Sequence, residues 1–276
     1  MASEAVPRRG VMLHTVLAKT LRDQRTPLAW WATGFIVMVL MYASFFPSVR
    51  ENAEELTRYL DNLPDVLRNL IGGLDFTTPE GYLQSELFSF MAPILMLVYA
   101  IGAGARALAG EEEAGTLDVL LSTPVRRRRV LVDKFGAMVV ATFGLTAVIW
   151  LSVLVFGPPF DLRPGLEGFT AMSLNTFLLG LAFGSLALAI GASTGRKILA
   201  IGVPSGIAVG TFIVNALGPS VDWLEPFRLV SPFYYYSAGD LILTGFDLAH
   251  ALVLAAISAV SLIYALWAFE RRDLTA

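Results

Sequence analysis

The sequence predicts an all-α integral membrane protein with six transmembrane helices and both termini on the cytoplasmic side. Three observations carry this prediction. Charged residues are only 16% of the 276-residue chain and 55% of it is hydrophobic, with a mean hydropathy of +0.65, whereas a soluble domain carries about 25% charge. Six stretches reach the roughly 20 apolar residues that cross a hydrocarbon core of about 30 Å. Lysine and arginine are divided very unevenly between the two sets of loops that these stretches define.

The spans are expected at residues 27–46, 87–108, 135–157, 169–192, 198–217 and 248–269. The first is too long for the core of a signal peptide and follows an amphipathic basic segment, so it is expected to be retained. In that segment, residues 11–25, Leu13, Leu17 and Leu21 form an apolar stripe, with Lys19, Arg22 and Arg25 off it. One set of loops holds fifteen Lys and Arg and the other five. The richer set includes both termini, which places them in the cytoplasm. On the other side, Leu56, Leu60, Leu63, Leu67 and Leu70 repeat at helical steps, an amphipathic pattern expected to lie on the outer leaflet.

The loop at residues 110–134 is the most charged part of the chain. It runs from Glu111, Glu112 and Glu113 through AGTLDVLLST to Pro124, then Arg126, Arg127, Arg128, Arg129 and Lys134. Leu117, Leu120 and Leu121 recur at helical spacing while Thr116 and Asp118 point elsewhere, which predicts a short amphipathic helix stopped before Pro124. Such a helix suits either a groove on a soluble partner or the lipid surface. The arginines suit a cytoplasmic anchor against anionic head groups.

Other classes find little support. No G-x-x-x-x-G-K-[ST] occurs, so nothing here cradles nucleotide phosphates in the P-loop manner. With His14 and His250 the only histidines, no H-E-x-x-H exists, and with no cysteine there is no thiol chemistry. Ionisable groups are expected only at span ends, as Arg106 and His250, with Glu86 just outside, which disfavours a proton-driven carrier. No residue supports catalysis or a metal site.

The order of acids, Gly115, Thr116, Leu117, a leucine pair, Pro124 and basic residues leading to Lys134 resembles the cytoplasmic coupling segment of ABC exporter permeases of the type V, ABC-2-type six-span family. Leu63 to Phe90 and Ser231 to Gly245 look similar to the segments before that family's second and last spans. The resemblance covers nearly the whole chain. It implies an N-terminal elbow helix and a coupling helix at about Glu111 to Ser122 that docks on a separate ABC ATPase, which would bind the ATP and Mg. It also implies a second permease copy or a related chain, and short re-entrant helices at residues 221–242 capping the path, with Phe233, Tyr234, Tyr235 and Tyr236 as an outer gate.

A candidate path or subunit interface then comprises Phe88, Met91, Asn175, Gly202, Gly206, Gly210 and Asn215. Pro93 is expected to kink the second span and free a carbonyl that neighbouring spans can satisfy. The doubled G-x-x-x-G of the fifth span reads as helix packing, within one subunit or between two. The function implied is ATP-driven export of an amphipathic or hydrophobic compound, a drug, antibiotic or lipid, across a bacterial inner membrane. Polysaccharide or peptide cargo and a non-transporting scaffold are the alternatives. No nucleic acid is expected as a partner.

Overall fold

A computed structural model of the chain describes residues 15–52, 78–117, 126–237 and 241–272. The described residues are all-helical, and six helices are long and apolar enough to cross a membrane. A short helix, α1 (Thr15–Asp23), leads into α2 (Arg25–Glu51), and α3 runs unbroken over Pro79–Glu113. Then come α4 (Arg127–Phe156), α5 (Leu166–Thr194) and α6 (Lys197–Leu217). Two short helices, α7 (Pro232–Ser237) and α8 (Leu241–Thr244), precede the last crossing, α9 (Leu248–Arg271).

Each crossing overruns its apolar stretch at one end or both, most clearly α3, which starts eight residues before the expected position. Apolar composition marks where lipid lies, whereas backbone hydrogen bonding carries the helix on into polar surroundings. Thr78 caps α3, its Oγ1 accepting from the Gly81 amide at 3.1 Å, and Pro79 occupies the first turn, where its missing N–H costs nothing. Asp247 caps α9 through the amides of Ala249 (2.8 Å) and His250 (3.2 Å). The extension of α3 brings Glu86 inside a crossing helix, where the sequence had placed it outside.

The helix α5 is the central post. It packs against α3, α4, α6 and α9, and 78% of its most apolar window is buried, the highest share of the six crossings. Small residues let α3 and α5 approach backbone to backbone. A Cβ on Gly104 would collide with the Gly184 carbonyl and stand 3.0 Å from the Leu188 amide nitrogen. Around this seam lie aromatic pairs such as Phe88 with Phe169, ring centres 5.9 Å apart, and Trp31 with Tyr99 at 5.8 Å. A second, smaller cluster joins Leu108, Leu117, Leu131, Leu188 and Phe269 at one end of the bundle.

Within α3, Leu83–Met91 is π-helical. Its register explains the carbonyl that Pro93 frees. The Ala92 amide bonds to Leu87 five residues back, so the next amide in register, that of residue 93, would serve Phe88. Proline has none to offer. The Phe88 carbonyl instead accepts from the Tyr236 hydroxyl of α7 at 2.6 Å.

The outermost crossing is α6. Only Ala200, Pro204 and Ala208 along it are buried, one face at steps of four. Gly202, Gly206 and Gly210 fall two residues out of phase, on the opposite face. Among the described residues, an added Cβ on any of them meets nothing within 4 Å, and the α5 contact uses the other side of the helix.

Candidate functional site

The charged residues gather where the ends of α3, α5 and α9 meet the starts of α4 and α6. The three consecutive glutamates form the last turn of α3, and each reaches a different helix. Glu111 pairs with Lys134 of α4, whose side chain is only 2% exposed. Glu112 pairs with Arg272, just after α9. Glu113 Oε1 accepts from the Lys197 backbone amide at 2.9 Å, at the start of α6. The segment leaving α3 is thus tied to three crossings at once.

Further contacts close this junction. Arg272 Nη1 donates to the Ala192 carbonyl of α5 at 3.2 Å, and Arg127 Nη1 donates to the Arg272 carbonyl at 2.8 Å. Gly195 ends α5 in the left-handed conformation (φ 65°), where glycine carries no Cβ penalty. A Cβ there would strike the Arg272 guanidinium and come 2.8 Å from Glu112 Oε1, so the ion pair needs this glycine twice over.

The expected coupling helix departs from the continuous element read from the sequence. The acids belong to α3, and the chain then turns at Ala114 and Gly115 (φ 67°) before helix resumes at Thr116 and Leu117. Glycine makes that break possible, and periodicity alone could not register it. Leu117 is buried in the small cluster with Leu131 and Phe269. Gly115 and Thr116 are exposed. Asp118, Leu120, Leu121 and Pro124 lie outside the described residues, as do Leu13 and the leucine pattern from Leu56 to Leu70. Of the basic run, Arg126 and Arg128 are exposed, Arg127 lies 5.9 Å over the Phe269 ring, and Arg129 pairs with Asp133 at 3.0 Å.

The expected path residues separate into two groups. Phe88 and Asn175 are buried inside the subunit. Asn175 Nδ2 lies 3.4 Å from the carbonyls of Tyr235 and Tyr236, and its buried Oδ1 has no partner among the described residues. Met91 and Asn215 are partly buried, and the glycines of α6 face outward. Among the gate aromatics, Phe233 and Tyr236 are buried, while Tyr234 and Tyr235 ring the His250 imidazole at 5.9 and 5.5 Å. Sequence reading found Tyr236 but not its bond to Phe88, whose only signal is Pro93.

Six crossings, one of them a buried central post, with a charged junction at one end and an aromatic cap at the other, define a polytopic α-helical membrane protein. Residues 14–274 match the ABC-2 family transporter protein family, and the chain belongs to that family. Two curated relatives carry the name probable ABC transporter permease protein NosY. The one from Pseudomonas aeruginosa is 31% identical over 145 residues, covering 49% of this chain and 50% of the relative. The one from Stutzerimonas stutzeri is 29% identical over the same shares. The chain thus spans about half the length of the curated relatives it matches.

Proposed function

We propose that this chain is the permease subunit of an ATP-driven exporter of the bacterial inner membrane, working as a pair with two copies of a separate ABC ATPase. The observation that carries this reading is the fastening of Glu111, Glu112 and Glu113 to α4, α9 and α6. A segment held only by lipid would need no such fastening. A segment that receives a push needs it, because three helices must move when it moves. The charged end is the cytoplasmic one, following the excess of Lys and Arg there, and the residues from Glu111 onward dock on the ATPase. The α1 helix serves as an elbow on the inner leaflet.

At the other face, α7 and the residues before it form an outer gate. The outward face of α6, with Gly202, Gly206, Gly210 and the exposed Ile201, Val209 and Ile213, meets a second permease across the path. Apolar walls of this kind favour an amphipathic or hydrophobic cargo, a drug, antibiotic or lipid.

The test is ATPase activity of the chain co-purified with its candidate ATPase, while lipids and drugs are screened for stimulation. The expected result is a complex whose hydrolysis responds to one cargo class, and a Glu111→Lys/Glu112→Lys/Glu113→Lys variant that hydrolyses ATP without that response. If no ATPase associates with the intact chain, the transporter reading fails and a membrane scaffold takes its place.

A further inference from the structure

Between α1 and the charged ends of α3, α4 and α6 lies a cavity of about 500 Å³. Its walls carry four cations, Lys19, Arg106, Lys134 and Lys197, against two acids, Asp23 and Glu111. Glu111 is already paired with Lys134. Among the described residues, the side chains of Lys19, Arg106 and Lys197 hold no hydrogen bond or ion pair. With Glu111 taken up by Lys134, three cations face Asp23 alone, so the cavity carries surplus positive charge.

Arg106 shows which anion would fit. Arg106 is exposed and lies back along its own helix, its Nη1 3.3 Å from where a Cβ on Gly102 would stand. The missing side chain at Gly102 leaves room for it. Its planar guanidinium faces the cavity with its donors free, and a guanidinium matches the oxygens of a phosphate in bidentate fashion. Val16, Pro27 and Ala107 supply apolar wall beside the cations. An anion that arrives at membrane depth with apolar chains attached is a phospholipid.

We propose that this cavity seats the phosphate head group of an anionic phospholipid, held by Arg106 and Lys19 and wedged between α1 and the last turns of α3. The lipid then acts as a removable strut on the segment that carries Glu111, so membrane charge sets how firmly α1 is joined to the junction. This does not depend on the ATPase reading, since the cavity is formed by this chain alone.

The experiment is thermal unfolding of the delipidated full-length chain in a neutral detergent, titrated separately with phosphatidylglycerol, phosphatidylcholine and inorganic phosphate. Phosphatidylglycerol is expected to raise the unfolding temperature at concentrations where phosphatidylcholine does nothing. Each interfacial charge contributes about fivefold in affinity, so Lys19→Gln/Arg106→Gln should shift the phosphatidylglycerol midpoint by about 30-fold. Should the double variant not fold, Lys19→Gln alone, at an exposed position of α1, carries the test at about fivefold. An Arg50→Gln/Arg163→Gln chain, altered at exposed positions outside the cavity, should respond as the unaltered protein does. Equal responses to the two lipids, an unshifted midpoint in the cavity variant, or an equal loss in the Arg50/Arg163 variant would overturn the proposal. So would inorganic phosphate reproducing the stabilisation, which would mark a site for free anions instead of lipid.

Discussion

Replacing Tyr236 by phenylalanine removes one oxygen atom and leaves the Phe88 carbonyl, inside a buried π-helical turn, with neither the hydroxyl nor an amide to bond. Tyr236 is 2% exposed, so water cannot easily take the hydroxyl's place. The Thr176 hydroxyl 3.4 Å away keeps its own bond to the Met172 carbonyl at 2.9 Å and loses little. The loss is then one hydrogen bond plus an orphaned buried acceptor, about 2 kcal/mol, or roughly 4–8 °C in unfolding temperature for a chain of this size. Tyr235→Phe is the reference. Its hydroxyl donates at 2.8 Å to the Leu229 carbonyl at an exposed site, where water substitutes, so less than about 1 kcal/mol is expected. The decisive arm is Pro93→Ala, which supplies the amide whose absence orphans Phe88. The double variant Pro93→Ala/Tyr236→Phe should regain at least about 1 kcal/mol of the loss, a coupling readable in a double-mutant cycle of thermal unfolding. Additive losses, or a Tyr236→Phe effect no larger than that of Tyr235→Phe, would refute the π-register account.

Two further predictions concern the junction and the helix seams. Gly104→Ala drives a methyl group into the Gly184 carbonyl and should cost about 3 kcal/mol or prevent folding, while Gly206→Ala, with open space around it, should leave the single subunit within about 0.5 kcal/mol by the same unfolding measurement. Glu111→Gln leaves the buried Lys134 ammonium without its carboxylate; because Glu111 is itself 34% exposed, the loss should be about 1–2 kcal/mol rather than the full cost of an isolated buried charge. Glu113→Gln, whose acceptor oxygen is retained in the amide, should change stability by less than about 0.5 kcal/mol. Equal losses for the two glutamines would contradict the roles assigned to them.

The crossings were legible because a membrane demands a long apolar stretch from any helix that spans it, and six such stretches stand out. Of the amphipathic stripe before the first of them, Leu21 packs against the core, while Leu13 lies outside the described residues. The partners of Glu111, Glu112 and Glu113 were not legible. Three acids in a row read as a face turned to water or to another protein, and only the convergence of five helix ends, a property of the tertiary fold, brings Lys134, Lys197 and Arg272 within reach. The break at Gly115 escaped because the leucine pattern of Leu117, Leu120 and Leu121 begins only after it, and the acids before it carry no apolar period that would mark where one helix ends. The glycines of α6 were recognised as close-approach positions, but which face they occupy depends on Ala200, Pro204 and Ala208, whose burial only the packed bundle reveals.

The uneven grip on the crossings has a mechanical consequence. Only 17% of the most apolar window of α6 is buried, against 78% in α5. A structure strained at one end yields where it is most weakly braced, and here the weakest brace is the helix whose first amide is clasped by Glu113. Displacement entering at that clasp would move α6 furthest of the helices joined there, pivoting near its other end, where the Ser231 hydroxyl holds the Thr211 carbonyl at 2.8 Å.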